Sequence, residues 1–330
     1  MLSTYALDGA GLVRRQILAH TDEARPAIDA ALWLDLLEPS PDEERVIEQT
    51  LGINVPTREE MREIESSNRM YEDDGALYLT TTLVTRLDSD QPQNAQITFI
   101  LKNGKLVTNR YTDPLPFRRY ASYAERHAGS CNSHLAIFAG LVEAIVNRIA
   151  DVVERLGSDL DAVSSDIFGR HAPARQRAWQ RDYRGVLERI GQSGELIAKT
   201  RESLVSIGRM LAFAQQSGLL PMSNEQRTRL RTVARDVTAM SDHVSFLGTN
   251  VSFMLDATLG MISIDQNNIL KIFSVVTVFL LPPSVIGAAY GMNFEHIPGA
   301  REPWGFAVAL LAMAASAVVP WLLFKRRGWL

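Results

Sequence analysis

The chain has 330 residues, of which 46% are hydrophobic, and its formal net charge is -4. Residues 1–268 contain 29 basic and 36 acidic residues; this surplus of acid argues against nucleic acid as a partner and mildly favours cations, although it is also typical of ordinary solubility. The single cysteine, Cys131, excludes an intrachain disulfide and agrees with a reducing compartment.

Residues 1–120 are predicted to form an α+β cytosolic domain, in which a mixed sheet packs with helices. The apolar segment 31–37 is typical of a buried strand. Two further segments, 76–87 and 95–109, are rich in β-branched residues, and the second contains Asn103-Gly104, a strong hairpin signal. We therefore expect paired strands there.

Two helices are predicted within the same domain. Acidic residues at 42–44 favour a helix start, because they stabilise the positively polarised end of a helix. Thr57 and Glu60 have the spacing of a capping box, which predicts a second helix that continues through Ser66.

Residues 121–268 are predicted to form a region of long helices that includes a stalk. Apolar residues recur at three- and four-residue spacing from His134, as in an amphipathic helix. A second helical stretch covers about 176–217. A third starts at Ser223 and extends to Tyr290, since no proline occurs in it before its last turns. The chain as a whole is therefore expected to be mostly α-helical, with one helix running from the cytosolic part into a membrane.

Residues 269–330 are predicted to be the transmembrane domain. The segments 272–294 and 303–324 contain no charged residue. Each supplies the roughly 20 apolar residues that cross a bilayer core of about 30 Å. The predicted spans are about 270–290 and 304–324, joined by an outer loop at 291–303.

The charges that flank the two spans predict their orientation. Lys271 precedes the first span and three basic residues at 325–327 follow the second, whereas the loop has Arg301 beside Glu295 and Glu302. The excess of Lys and Arg at both ends places both termini in the cytoplasm.

The first span carries a polar stripe along one face. At about 100° per residue, seven residues fall within a sector of roughly 100°. Four of the seven are polar but uncharged, which suits the wall of an aqueous channel. Close packing between helices explains the same pattern equally well. The stripe consists of Asn267, Leu270, Ser274, Thr277, Leu281, Ser284 and Ala288.

The second span is rich in alanine, which suits an outer helix that packs against the first and contacts lipid. Two helices cannot enclose a pore. A channel would therefore be a ring of several identical subunits, each of which contributes its first span to the axis.

Several motifs together resemble the CorA family of magnesium and cobalt transporters. The Gly-Met-Asn triplet directly after the first of two C-terminal spans is the signature of that family, and the resemblance covers essentially the whole chain. The matching segments are 33–37, 56–57, 59–61, 63–65, 74–78, 201–204, 268–276, 281–283, 290–295 and 325–330.

The resemblance implies a homopentamer with a cytosolic funnel in the cell inner membrane. It also implies a selectivity ring of Gly291, Met292 and Asn293 at the outer mouth. Mg²⁺ prefers oxygen ligands and loses its water reluctantly. Five Asn293 carboxamides would hydrogen-bond the hydrated ion without stripping it, and neutral ligands would release it again.

The resemblance further implies a gate that cytosolic Mg²⁺ closes. Leu270, Phe273 and Leu281 would place apolar rings in the neck of the pore, which suits closure by dewetting. Asp88 and Asp90 are candidates for the regulatory metal site, and the alternative interpretation is that they are solvated loop acids.

The outer loop departs from the family pattern. The family usually has an acidic residue directly after the loop proline, whereas Gly299 follows Pro298 here. Glu295 and Glu302 remain as acids that would attract cations to the mouth. The related zinc-transporting branch departs from methionine in the triplet, so Met292 favours magnesium.

The predicted function is therefore influx of Mg²⁺, with Co²⁺ or Ni²⁺ as further ions, down the membrane potential. The alternatives are a Zn²⁺ transporter of the related branch, with or without proton coupling, and a membrane-tethered signalling protein. The short outer loop argues against the second alternative.

No motif of an enzyme active site and no Walker phosphate loop occurs in the sequence. We therefore expect neither enzymatic activity nor ATP as a partner, and no cofactor other than Mg²⁺ as transported and regulatory ion.

Overall fold

The chain divides into two compact units. The first contains the sheet, the helices that pack on it and the long helices as far as Leu255; the second contains the chain from Asp256 onward, together with Asp182 and Tyr183 among the described residues. The computed structural model describes residues 1–8, 11–19, 23–86, 91–168, 182–292, 297, 299 and 302–326.

In the part of the chain that is described, the sheet of the first unit has seven strands in the order β2-β1-β3-β7-β6-β5-β4. β3 and β7 run parallel, and the other neighbouring pairs run antiparallel, so the predicted mixed sheet is confirmed. The strands are β1 (Leu2–Asp8), β2 (Gly11–Ile17), β3 (Trp33–Leu37), β4 (Met70–Asp73), β5 (Ala76–Thr85), β6 (Gln93–Lys102) and β7 (Lys105–Arg110).

The helices account for most of the remaining chain. The three longest follow the sheet in sequence, and β6 and β7 are joined by Asn103 and Gly104, both at positive φ as a two-residue hairpin requires. The helices are α1 (Ala24–Ala30), α2 (Pro41–Leu51), α3 (Ser66–Arg69), α4 (Leu115–Ala124), α5 (His134–Phe168), α6 (Tyr183–Gln216), α7 (Asn224–Tyr290) and α8 (Gly305–Arg326).

The predicted helix from Thr57 through Ser66 is wrong. Thr57 and Glu60 do form the capping-box hydrogen bonds, but they start only a short 3₁₀ turn at Glu60–Arg62. The segment offers two apolar side chains, and only Met61 is buried, whereas Ile64 is 91% exposed. A cap cannot sustain a helix without an apolar face to pack.

Both faces of the sheet are covered. On one face, α1 and α2 contribute Ile28 and Ile47 to a core with Leu34 and Ile100 of the sheet. On the other, Phe99 makes an edge contact with Phe138 of α5, at 5.4 Å between ring centroids. The first unit is therefore a three-layer arrangement that buries its own apolar surface.

The outer half of β5 is covered by α6. β5 pairs with β4 only as far as Leu79. Further along β5, the backbone N–H groups of Thr82 and Val84 donate to the hydroxyls of Ser206 and Ser203, at 2.9 and 3.3 Å. These bonds satisfy a strand edge that would otherwise be open to pairing with another chain. They also fix α6 relative to the sheet.

Candidate pore-lining site

The two C-terminal helices are apolar enough to cross a bilayer. α7 and α8 each contain an 18-residue apolar segment, with a mean hydropathy of 2.1 in α7 and 2.2 in α8. Within the described chain, 0% of the segment in α7 and 6% of the segment in α8 is buried. The predicted pair of apolar C-terminal helices is therefore confirmed. Large side chains are exposed on both helices, including Leu270 at 62% on α7 and Leu311 at 69% on α8.

All seven residues of the polar stripe lie on α7, which is helical without a break from Asn224 to Tyr290. Pro282 and Pro283 are inside this helix. Because proline has no N–H, the carbonyls of Val278 and Phe279 lose their usual helical donors. Phe273, the additional gate candidate, lies beside the stripe and is 66% exposed.

α8 packs on the side of α7 away from the stripe. The rings of Phe279 and Phe324 have centroids 6.3 Å apart, and a Cβ on Gly287 would lie 3.1 Å from Cε of Met313. At about 100° per residue, Phe279 is roughly 170° and Gly287 roughly 110° around α7 from the centre of the stripe. Within the described chain, packing between α7 and α8 therefore leaves the stripe uncovered.

The hydroxyl groups of the stripe hydrogen-bond to their own helix. Ser274 donates to Leu270 O at 2.8 Å and Thr277 donates to Phe273 O at 2.8 Å. Ser284 donates to Leu280 O at 2.7 Å. A hydroxyl has one hydrogen and two lone pairs, so a hydroxyl that donates to the backbone presents its oxygen outward as an acceptor. An uncharged row of acceptors suits water and cations.

The triplet begins where α7 ends. The N–H of Gly291 donates to the carbonyls of Gly287 and Ala288, at 2.9 and 3.1 Å. A Cβ on Gly291 would approach Gly287 O to 3.2 Å, so a side chain fits poorly there. Met292 follows with 51% of its surface exposed. Asn293, the third member, lies outside the described residues.

Of the two predicted loop acids, the structure describes Glu302 and not Glu295. Glu302 donates its N–H to Gly299 O at 3.2 Å, in a turn where Gly299 has a φ of 81°. Its carbonyl accepts from Gly305, the first residue of α8, at 3.0 Å. Glu302 therefore lies directly before the second apolar helix.

The predicted regulatory residues Asp88 and Asp90 lie outside the described residues. Within the described ranges, no group of three or more His, Cys, Asp or Glu side chains is close enough to hold a metal ion. Sequence reasoning missed one contact of α7 on the face away from the stripe, the hydrogen bond from Tyr183 Oη to the carboxylate of Asp265. The two residues are 82 positions apart, so no local pattern indicates it.

Comparison with known proteins matches the whole chain. A protein-family profile described as CorA-like Mg²⁺ transporter protein covers residues 29–326. The magnesium transport protein CorA of Escherichia coli K12 is 31% identical over 330 residues, which is 100% of both chains. The CorA of Pasteurella multocida Pm70 is 32% identical over 332 residues, again 100% of both.

The fold is also similar to a solved structure. The complete CorA magnesium transporter from Methanocaldococcus jannaschii aligns with a TM-score of 0.76 and 18% identity, covering 100% of this chain and 99% of that one. The mixed sheet, the long helices and the two apolar C-terminal helices are thus confirmed as the fold class. The sequence matches confirm the resemblance that the motifs indicate.

Proposed function

Because this chain belongs to the CorA-like Mg²⁺ transporter family, we propose that it conducts Mg²⁺ into the cell through a pore lined by several copies of α7. The family consists of ion transporters, which confirms the prediction that the chain is not an enzyme. The observation that carries the proposal is the uncovered stripe of α7, with its row of outward hydroxyl oxygens.

The pore requires more than one copy of the chain. α8 contacts α7 on the side away from the stripe, so one chain cannot surround an axis with its own two spans. A ring of five, as the family resemblance implies, would bring five stripes together around water. The exposed apolar residues of α8, such as Phe306 and Leu311, would then contact lipid.

The acceptor oxygens of the stripe explain why the ion need not lose its water. Mg²⁺ holds its first shell of water tightly, and those waters point their hydrogens outward. Thr277 and Ser284 would accept hydrogen bonds from that shell because their own hydrogens are used within the helix. At the outer mouth, the ring of Asn293 carboxamides would do the same, with Gly291 and Met292 supporting it. Co²⁺ and Ni²⁺, if hydrated, would fit the same ring.

Entry of the ion follows the membrane potential. With both termini in the cytoplasm and the protein in the inner membrane, a divalent cation gains roughly 4.6 kcal/mol per 100 mV of inside-negative potential. Glu295 and Glu302 would raise the local concentration of cations at the mouth. No energy source other than the voltage and the concentration gradient is needed.

The neck of the pore provides a gate. Leu270, Phe273 and Leu281 are 62%, 66% and 59% exposed in the single chain and lie on or beside the stripe. A ring of such side chains expels water when it narrows, which blocks a hydrated ion. Cytosolic Mg²⁺ would hold the closed state by binding it more tightly than the open state, with Asp88 and Asp90 as candidate ligands.

Ion uptake into proteoliposomes tests the function directly. The full chain is reconstituted, and Mg²⁺ uptake is measured under an imposed inside-negative potential, under a pH gradient and under neither. We expect uptake that follows the voltage and ignores the pH gradient. Zn²⁺ uptake that requires the pH gradient would replace this proposal with a proton-coupled zinc carrier. No uptake of any divalent cation would leave the tethered signalling protein.

A further inference from the structure

The first unit contains a basic pocket, far in sequence from the uncharged pore stripe. A pocket of about 420 Å³ lies where α6 meets the outer half of β5. Thr82 and Ser206 line it, and three arginines surround it: Arg69 at the end of α3, and Arg201 and Arg209 on α6. Because Arg201 and Arg209 are eight residues apart, they lie about 80° apart around α6, on the side of the helix that lines the pocket.

The charges of this pocket are not balanced. The one carboxylate among its described lining residues, Glu202, accepts a hydrogen bond from Asn94 Nδ2 at 2.6 Å. Within the part of the chain that the structure describes, Arg201 and Arg209 make no ion pair and no side-chain hydrogen bond. The three guanidinium groups therefore leave a local excess of two positive charges around a concave site.

Arg69 is the most constrained of the three arginines. Its Nη2 donates to Thr82 Oγ1 at 2.6 Å, while its Nε is buried and has no acceptor within the described residues. Burial lowers the pKa of the Arg69 guanidinium; the carboxylate of Glu202 opposes this effect and the charge of Arg209 adds to it. A buried donor without an acceptor costs free energy, and an anion in the pocket would supply the acceptor.

A larger cavity in the same unit has a more even balance of arginines and acids. It has a volume of about 500 Å³, and it also contains arginines, but acids lie among them. Arg118, for example, is 3.5 Å from the carboxylate of Asp113, which also pairs with Arg110. The smaller pocket thus stands out by the excess of its guanidinium groups over its carboxylates.

We propose that the pocket formed by Arg69, Arg201 and Arg209 binds a small phosphate-bearing anion. Guanidinium groups match the geometry of phosphate oxygens and hold them by paired, charge-assisted hydrogen bonds. The volume is within the range of small-molecule sites and exceeds that of one inorganic phosphate. Met70 and Val205 provide an apolar wall for the rest of the ligand. The sequence has no Walker loop, and the proposal is limited to binding.

Direct binding to the full chain tests this site. The protein is purified in detergent with EDTA, so that no divalent cation bridges the anion to the protein. Pyrophosphate, ATP and adenosine are each titrated by calorimetry at low salt. We expect pyrophosphate to bind and adenosine not to bind. ATP should also bind, through its phosphate groups, which departs from the sequence-based expectation that ATP is not a partner. Tighter binding of ATP than of pyrophosphate would identify a nucleotide as the ligand, and equal binding would identify the phosphate group alone.

The variants separate the pocket from general surface charge. Arg201→Ala and Arg209→Ala should each weaken binding at least about tenfold, since each removes a charge-assisted contact. Arg209→Lys should recover only part of the affinity, because lysine keeps the charge and loses the paired geometry. The matched control is Arg231→Ala, an exposed arginine of α7 outside the pocket.

Three results would overturn the site. They are the absence of binding by pyrophosphate and ATP at millimolar concentration, equal weakening by Arg231→Ala, and an assembly in which a carboxylate of a neighbouring copy occupies the pocket. Mg²⁺ uptake by the same variants is measured separately. Loss of anion binding with uptake intact, or the reverse, distinguishes failure of this proposal from failure of the transport proposal.

Discussion

The sheet and the C-terminal helices place their apolar side chains in opposite environments. Every residue of β5 is buried, and Phe99 and Trp33 are fully enclosed. In α8, by contrast, Phe306 and Leu311 are 78% and 69% exposed. The first unit therefore completes its own core, whereas the second depends on surroundings that a single chain does not supply. Substitutions in the two regions should differ in what they damage.

The largest expected effect is on conduction alone. Asn293→Ala should abolish Mg²⁺ uptake and leave the mass of the assembly and its melting temperature unchanged, because the proposed role of this amide is to contact the passing ion. The control is Asn268→Ala on α7, roughly 150° around the helix from the centre of the stripe, which should keep uptake within about twofold of the parent. Normal uptake by Asn293→Ala would remove this residue from selectivity.

The next largest effect is on stability alone, in the first unit. Asp35 and Arg110 are 3% and 4% exposed, and their side chains form two hydrogen bonds of 2.7 and 2.9 Å. Arg110→Met would leave the Asp35 carboxylate buried without its partner, which costs about 3–5 kcal/mol. We expect the melting temperature of the purified protein to fall by roughly 10 °C.

The double variant Asp35→Leu with Arg110→Met sharpens this prediction. Since it removes both charges, it should lose much less stability than the sum of the two single variants. Additive losses would show that the pair is not coupled. Uptake per folded protein should stay normal in each variant, because neither residue belongs to the pore stripe.

Local sequence signals predicted those parts of the first unit whose conformation depends on neighbouring residues in the sequence. Asn103 and Gly104 adopt the positive φ values of a hairpin turn, as their residue types indicate. The capping box at Thr57 misled because the hydrogen bonds of a cap are local, whereas the helix behind it needs a packed apolar face. The hairpin of β1 and β2 was not predicted, since its strands lack a regular alternation of buried and exposed residues.

The stripe on α7 was predicted from sequence, but its exposure was not. Residue spacing shows which side chains share a face of a helix; it does not show which face the neighbouring helix covers. The contacts of Phe279 and Gly287 with α8 supply that information. The arginine pocket was missed for a similar reason, because Arg69 and Arg209 are brought together by tertiary packing alone.

Packing between the two spans can be disturbed without touching the stripe. Gly287→Leu would force a branched side chain against Met313, whose Cε would be 3.1 Å from the new Cβ. Overpacking of this kind costs about 1–3 kcal/mol. We expect a smaller fraction of protein to elute as the intact assembly. Gly157→Leu on α5 is the control, since no heavy atom of the described residues lies within 4 Å of its Cβ position; an equal loss there would argue against close contact between α7 and α8.

A smaller effect is expected from the hydroxyl groups of the stripe. Thr277→Val and Ser284→Ala remove outward acceptor oxygens, so uptake should fall a few-fold, equivalent to about 1 kcal/mol, without a change in melting temperature. Ser316→Ala is matched to them, because Ser316 of α8 also donates to its own helix, at 2.8 Å, but lies away from the stripe. If stability falls and uptake per folded protein does not, the stripe serves helix packing instead.

The smallest effect concerns pH and the first unit. Burial lowers the pKa of His134, at the start of α5, below its usual value of 6.5. In the unfolded chain the imidazole is protonated as the pH falls through about 6.5, while in the folded protein it stays neutral to lower pH. The unfolded state therefore binds more protons in this window, and the folded protein loses stability as the pH falls.

His134→Gln should reduce the drop in melting temperature between pH 7 and pH 5.5, whereas His243→Gln, at an exposed position of α7, should leave it unchanged. An identical drop in both variants would mean that groups other than His134 destabilise the first unit in acid.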